Sequence, residues 1–68
     1  MIVDLNGRAV PLADGSTLAD AIAAAGADSD ARGVAVAVDG EVVPRARWAD
    51  RRLTEGEDVE VVRAVQGG

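Results

Sequence analysis

The sequence contains no cysteine, histidine or lysine, and these absences exclude several kinds of site. Without cysteine there are no disulfides, thiolate metal sites or thiol nucleophiles. Without histidine and lysine, the commonest general bases, imidazole metal ligands and Schiff-base amines are missing. Phenylalanine and tyrosine are also absent, so Trp48 is the only aromatic residue and the core must be aliphatic. We therefore expect no bound cofactor, no metal site and no catalytic side chains.

Acidic side chains outnumber basic ones and give the chain of 68 residues a formal net charge of −5. Such a surface repels phosphate, so nucleic acid is not expected as a partner, whereas a protein with a basic surface is. This length accommodates a single domain. The sequence shows no secretion signal and no apolar run long enough to span a bilayer, so we expect a cytoplasmic protein without membrane contact.

Two dipeptides, Asn6-Gly7 and Asp39-Gly40, predict tight β-hairpin turns, because these residue types tolerate the positive φ that such turns require. The predicted strands cover 1–5 and 8–12 in the first hairpin, and 34–38 and 41–43 in the second. Proline cannot donate a ladder hydrogen bond, so the proline in the 8–12 strand indicates a sheet edge.

One short helix is predicted between the hairpins. Thr17, with Asp20 three residues later, forms a capping-box start, and Gly26 fits a left-handed C-terminal cap. A helix this short is stable only when one face lies on a sheet. That face carries apolar residues at helical spacing, namely Leu18, Ala21, Ile22 and Ala25.

The segment 45–52 contains four arginines around Trp48. We expect an irregular or single-turn segment in which Trp48 covers one end of the core and the arginines are solvated. Leu53 then returns to the core, Glu55-Gly56 turns the chain, and the last strand is predicted over 59–65.

Alternation in the last strand directs Val59 and Val61 toward the core. The opposite face of the sheet is then mildly apolar. Such a patch often marks a docking surface for a partner, although scattered exposed Ala and Val also occur without one. Both interpretations stay open on the residues alone. The face would consist of Ile2, Ala35, Ala37, Val62 and Ala64.

The sequence ends with Val65-Gln66-Gly67-Gly68. Glycine has no Cβ, so a Gly-Gly end can enter a channel too narrow for any side chain, which suits insertion into another protein's active site. A frayed end has the same composition, so the two glycines alone are a weak signal. In the first interpretation, Gly67 allows the tail to pass through the partner's channel and Val65 and Gln66 set the register of the tail. The Gly68 carboxylate is then the group that reacts.

The predicted order of hairpin, helix, hairpin, short turn and last strand before Gly-Gly resembles the ubiquitin-like β-grasp fold. That resemblance implies an α+β fold in which a mixed four- to five-stranded sheet packs on one short helix. Finer motifs are the run from Val34 to the Val-Pro-Arg at 43–45, Trp48, the turn at Glu55-Gly56, and the Val-Gln-Gly-Gly ending. With the opening hairpin and the segment 14–17, they resemble the bacterial ThiS family, the sulfur carriers of thiamine biosynthesis, over essentially the whole chain.

Two comparisons refine the resemblance. The related carriers of molybdopterin synthesis (MoaD) usually approach Gly-Gly through prolines, whereas this chain has Arg-Ala-Val-Gln at 63–66. Glu57 stands where the ThiS family usually has an Asp or Asn type of residue, in a turn that we expect to be solvated and tolerant of the change.

The resemblance implies a mechanism centred on Gly68. An adenylating enzyme (ThiF) would use ATP and magnesium to convert the terminal carboxylate into an acyl-adenylate. A persulfide on another protein would then supply the sulfur of a thiocarboxylate, which thiazole synthase (ThiG) consumes. The chain would be a protein co-substrate and not an enzyme, with residues 1–64 as the folded domain and 65–68 as a flexible tail.

Two other functions stay open. One is a sulfur carrier for molybdopterin or cysteine synthesis, which shares the chemistry at Gly68. The other is a β-grasp interaction module, such as an acidic inhibitor of a basic protein, in which Gly-Gly is incidental.

Overall fold

Five strands and one α-helix are present in the part of the chain that the computed structural model describes, residues 1–26 and 33–63. The strands form one sheet in the order β2-β1-β5-β3-β4. β1 and β5 are parallel at its centre, and the other neighbours are antiparallel, so the sheet is mixed as predicted. The elements are β1 (Ile2–Leu5), β2 (Arg8–Pro11), α1 (Leu18–Ala24), β3 (Val34–Val38), β4 (Glu41–Val42), a 3-10 helix (Arg45–Arg47) and β5 (Asp58–Arg63).

Both predicted hairpin turns are confirmed. Asn6 and Gly7 have φ of 52° and 83°, and Asp39 and Gly40 have φ of 50° and 83°. β2, which contains Pro11, lies at one edge of the sheet, as the proline requires.

The predicted capping box begins α1. The Thr17 hydroxyl accepts from the Asp20 amide at 3.4 Å, and the Asp20 carboxylate accepts from the Thr17 amide at 2.8 Å. Gly26 follows the helix with φ of 79°, in the left-handed conformation expected there. Leu18 and Ile22 are fully buried, so the helix packs its apolar face on the sheet.

The core lies between α1 and one face of the sheet. Alternation assigned its strand residues correctly, since Val59 is buried and Val61 is half-buried against the same cluster. No large aromatic cluster is needed, because branched aliphatic side chains fill the space. The buried apolar residues are Val3, Leu5, Leu18, Ala21, Ile22, Val36, Val38, Trp48, Leu53 and Val59.

Trp48 covers one end of this core, as predicted, and its side chain is buried. The indole Nε1 donates to the Val43 carbonyl at 2.8 Å, so its polar group is satisfied. The guanidinium carbon of Arg45 lies 5.4 Å from the centre of the ring, within range of a cation–π interaction.

The expectation that Glu57 lies in a solvated turn is wrong. The Glu57 side chain is only 12% exposed, and its Oε2 accepts from Arg51 Nη2 at 2.8 Å. Its Oε1 also accepts from the Thr54 amide at 2.7 Å. The hydrogen bond from Arg51 holds the pKa of Glu57 below its ordinary value. Glu57 therefore ties the segment after Trp48 to the turn that precedes β5.

No helix among the described residues is both long enough and apolar enough to span a membrane.

Candidate functional site

The face of the sheet that points away from α1 carries four of the five residues predicted for docking. Ile2 and Val62 are large exposed apolar residues, 49% and 58% accessible, while Ala35 is exposed and Ala37 half-buried. Ala64, the fifth, lies outside the described residues.

Three of these four residues lie together. The β3–β5 register places Ala35 opposite Val62, and the β3–β4 register places Ala37 opposite Val42. Val42, which is 72% exposed, extends the same patch to the edge of the sheet and was not predicted from the sequence. Alternation across the second hairpin carried the signal for it, because the partner of an outward residue also points outward. We refer to Ala35, Ala37, Val42 and Val62 as the apolar half of the outer face.

Ile2 lies elsewhere on the face. The β1–β5 register pairs Asp4 with Asp58, and the Ile2 carbonyl accepts from the Gly56 amide at 2.8 Å. Ile2 is therefore level with position 56 and six positions from Val62, which is about 20 Å at the rise of a strand. The structure does not bring Ile2 together with the other predicted docking residues.

Carboxylates occupy the space between Ile2 and the apolar half. Asp4 and Asp58 lie side by side, and Glu60 is the next outward residue along β5, opposite Ala37. All three are exposed, and with Asn6 they line a shallow depression. We refer to Asp4, Asp58 and Glu60 as the acidic band. Within residues 1–26 and 33–63, no group of three or more potential ligands is placed to hold a metal ion.

The apolar half lies at the end of β5 from which the tail continues. Arg63, the last described residue, pairs with Val34, and its Nη2 donates to the Gly26 carbonyl at 2.6 Å. The predicted tail residues Val65, Gln66, Gly67 and Gly68 lie outside the described residues. Gly68 is five positions beyond Arg63 in the sequence, so it can reach at most about 18 Å beyond β5.

Asn6 contacts the same end of β5. Its side-chain Oδ1 accepts from the Val61 amide at 2.8 Å, and its Nδ2 donates to the Val61 carbonyl at 3.3 Å. The sequence indicated Asn6 only as a turn residue. Its contact with β5 depends on the pairing of the two ends of the chain, which no local pattern reveals.

A mixed sheet with parallel first and last strands, crossed by one helix and bearing an apolar outer patch beside the last strand, defines a ubiquitin-like β-grasp protein. The ThiS family model matches residues 3–68, so this chain belongs to the ThiS family. The predicted family and fold are both confirmed.

Two solved structures are similar to the whole chain. One is a crystal structure of the thiamine biosynthesis protein ThiS from Geobacter metallireducens, with 24% identity, a TM-score of 0.78 and complete coverage of both chains. The other is a solution NMR structure of a thiamine biosynthesis protein from the same organism. It has 26% identity and a TM-score of 0.79, and the match covers 100% of this chain and 88% of that one. No curated protein sequence matches significantly.

Proposed function

We propose that this chain is a sulfur carrier protein of thiamine biosynthesis, a protein co-substrate rather than an enzyme. The observation that carries the proposal is the match to the ThiS family over residues 3–68, which includes the terminal Gly-Gly. The fold supports it, because an exposed apolar patch lies beside the strand that leads into the tail. Carriers for molybdopterin or cysteine synthesis would share the chemistry and differ in the enzyme that receives the sulfur.

The reacting group in this proposal is the carboxylate of Gly68. A carboxylate is ionised at neutral pH and is a poor electrophile, so it must be activated before sulfur can replace oxygen. A ThiF-type enzyme with ATP and magnesium would form the acyl-adenylate and release pyrophosphate. The terminal sulfur of a protein persulfide then displaces AMP, and a thiol reduces the resulting acyl disulfide to the thiocarboxylate. A thiazole synthase of the ThiG type takes this sulfur and restores the carboxylate.

Because each step takes place inside a partner, the chain needs a docking surface and reach. The apolar half provides apolar area to bury, and the acidic band beside it favours a partner with basic residues around an apolar contact. The tail beyond Arg63 then delivers Gly68 over at most about 18 Å. In this proposal Val65 and Gln66 set its register and Gly67 permits passage. Ile2 would belong to a separate, more distant contact.

Intact-mass measurement tests the carrier function directly. The protein is incubated with ATP, magnesium, a ThiF-type enzyme, a persulfide donor and a thiol reductant. The expected products are the acyl-adenylate and then a species in which one terminal oxygen is exchanged for sulfur. If neither species forms, the carrier function is wrong, and an interaction module becomes the better explanation.

A substitution in the tail tests the role of Gly67. Gly67→Leu adds a branched side chain at the point where the tail must pass through a narrow channel. The rate of sulfur transfer should fall at least tenfold, which corresponds to a rise of about 1.4 kcal/mol or more in the activation free energy, while docking is retained. Ala49→Leu is the control, because it creates the same leucine side chain, with one added carbon fewer, at an exposed position in the basic segment. A Gly67→Leu variant that accepts sulfur at the normal rate would contradict the narrow-channel argument.

Growth experiments separate the possible recipients. The gene for this chain should restore growth without thiamine to a strain that lacks its own thiamine sulfur carrier. Strains that lack the carriers for molybdopterin or cysteine synthesis are the controls. Rescue of one of those strains alone would assign the carrier to that pathway instead.

A further inference from the structure

Asn6 extends the contact between β1 and β5 beyond the point where β1 ends. The last backbone hydrogen bond on this side runs from the Asn6 amide to the Val59 carbonyl, at 2.9 Å. β1 ends at Leu5 because the chain turns at Asn6, but β5 continues to Arg63. The Asn6 side chain then bonds both the amide and the carbonyl of Val61, at 2.8 and 3.3 Å.

A side-chain amide can do this because it presents one carbonyl and one N–H₂ group, as a peptide unit presents C=O and N–H. The Asn6 side chain thus takes the place of the next peptide of a longer β1. On the other side of β5, β3 pairs with residues up to Arg63. The end of β5 is therefore held from both sides, immediately before the chain continues toward Gly68.

The turn itself does not require this side chain. Asn6 has φ of 52°, a conformation that glycine adopts without steric strain, and Gly-Gly is a favourable pair in such turns. The side-chain bonds to Val61 are a second property, separable from the turn. Asp39 offers a comparison within the same molecule, because it also begins a hairpin turn, with φ of 50°. Its carboxylate accepts from the Asp58 amide at 2.9 Å, at the start of β5 rather than the end.

We propose that Asn6 is a positioning residue for the carboxy-terminal tail, and this inference rests on the proposed carrier function. By holding Val61, the Asn6 amide fixes the direction in which β5 delivers the residues that follow. Val62, the next residue, belongs to the apolar half, so a docked partner receives the tail in a restricted orientation. Without the amide, the domain still docks, but fewer docked molecules present Gly68 productively.

The test compares Asn6→Gly with Asp39→Gly. Each replaces the first turn residue by glycine and removes a side-chain contact with the β5 backbone, at the tail end or at the far end. Adenylation by a ThiF-type enzyme is measured over a range of carrier concentrations. Asn6→Gly should lower kcat about five- to tenfold with KM for the carrier changed less than about twofold, because orientation and not docking is impaired. Asp39→Gly should change both constants less than about twofold.

A conservative variant and an NMR measurement complete the test. Asn6→Asp keeps the acceptor for the Val61 amide and loses the donor, so its kcat should lie between those of wild type and Asn6→Gly. Backbone heteronuclear NOEs at Val62 and Arg63 should fall in Asn6→Gly and stay near wild type in Asp39→Gly.

The two proposals fail differently. If wild type is adenylated and Asn6→Gly has the same kcat, or if KM alone changes, the positioning role is overturned while the carrier function stands. If wild type is not adenylated, the carrier function fails. The NMR comparison then decides whether Asn6 orders the end of β5. Equal NOEs in the two glycine variants would show that it does not.

Discussion

Replacing Glu57 with glutamine removes one charge from a contact that is mostly shielded from water. The carboxylate accepts from Arg51 Nη2 at 2.8 Å and from the Thr54 amide at 2.7 Å. Glutamine has nearly the same shape, and its single carbonyl oxygen can still accept from Thr54. Its amide N–H₂ group, however, then faces the Arg51 guanidinium, so a charged hydrogen bond is replaced by two opposed donors.

The stability loss can be bounded from the burial of the pair. Hydrogen bonds to charged groups contribute about 1.5–3 kcal/mol, whereas exposed ion pairs contribute about 0.2–1 kcal/mol. The side chains of Arg51 and Glu57 are 36% and 12% exposed, so the pair lies between these cases. We expect Glu57→Gln to lower the free energy of unfolding by about 1–2 kcal/mol, which in a domain of this size lowers Tm by about 4–16 °C.

This loss should depend on pH. The pKa of Glu57 is lowered in the folded protein, chiefly by the Arg51 hydrogen bond, so folding favours the ionised carboxylate. The resulting stability is fully present above the ordinary glutamate pKa of about 4.3 and is lost as pH falls through the lower, folded-state value. Glutamine does not titrate. The difference in Tm between wild type and Glu57→Gln should therefore be largest near pH 7 and shrink on acidification below about pH 4.

Thermal melts followed by far-UV circular dichroism, at several values of pH, measure this difference. Glu55→Gln is the matched control, because it removes the same charge from an exposed side chain that accepts only from the Ile2 amide among the hydrogen bonds described, at 2.9 Å. Glu55→Gln should lower the free energy of unfolding by less than about 0.5 kcal/mol. Equal losses in the two variants, or a Glu57→Gln difference that does not change with pH, would refute the assignment of this stability to the Arg51 contact.

Three further substitutions test other parts of the molecule. Trp48→Phe loses the bond to the Val43 carbonyl and leaves space in the core, so thermal melts should show a loss of about 1–2 kcal/mol, and an unchanged Tm would contradict it. Val62→Arg should raise KM for the adenylating enzyme at least about tenfold, because it puts a charge into apolar area that a docked partner would bury. Ile2→Arg should raise KM much less, because Ile2 lies outside the apolar half. Equal effects of the two substitutions would mean that the whole face docks. Glu60→Lys should slow association with that enzyme about threefold at low salt with little change in dissociation, measured by stopped flow, whereas a change confined to dissociation would contradict steering.

Local signals in the sequence were sufficient for much of the fold. Turn residues act within a few positions, so Asn6-Gly7 indicated its hairpin without knowledge of the rest of the chain. The same holds for the capping box of Thr17 and Asp20, whose partners are three residues apart. Alternation is also local, and it assigned Val59 correctly to the buried face of β5.

The arrangement of the candidate site needed information that is not local. Alternation shows which face a residue lies on but not its level along the sheet, so it groups Ile2 with Val62 although they lie about 20 Å apart. Their separation follows from the parallel register of β1 and β5, which pairs opposite ends of the chain. The contact of Asn6 with Val61 spans 55 positions for the same reason. The turn around Glu57 predicts a solvated side chain, because nothing in the local sequence indicates its contact with Arg51.

In the proposed function, docking and delivery both depend on β5, and this limits the partners that the carrier can serve. Val62 lies on the apolar half and Gly68 is six positions beyond it, so in this proposal the reacting carboxylate can reach at most about 22 Å from Val62. An enzyme whose active site is farther than this from its docking surface could bind the domain and still never reach the carboxylate. The adenylating enzyme and the enzyme that takes the sulfur catalyse different reactions. If both bind the apolar half, each must place its active site within this same radius.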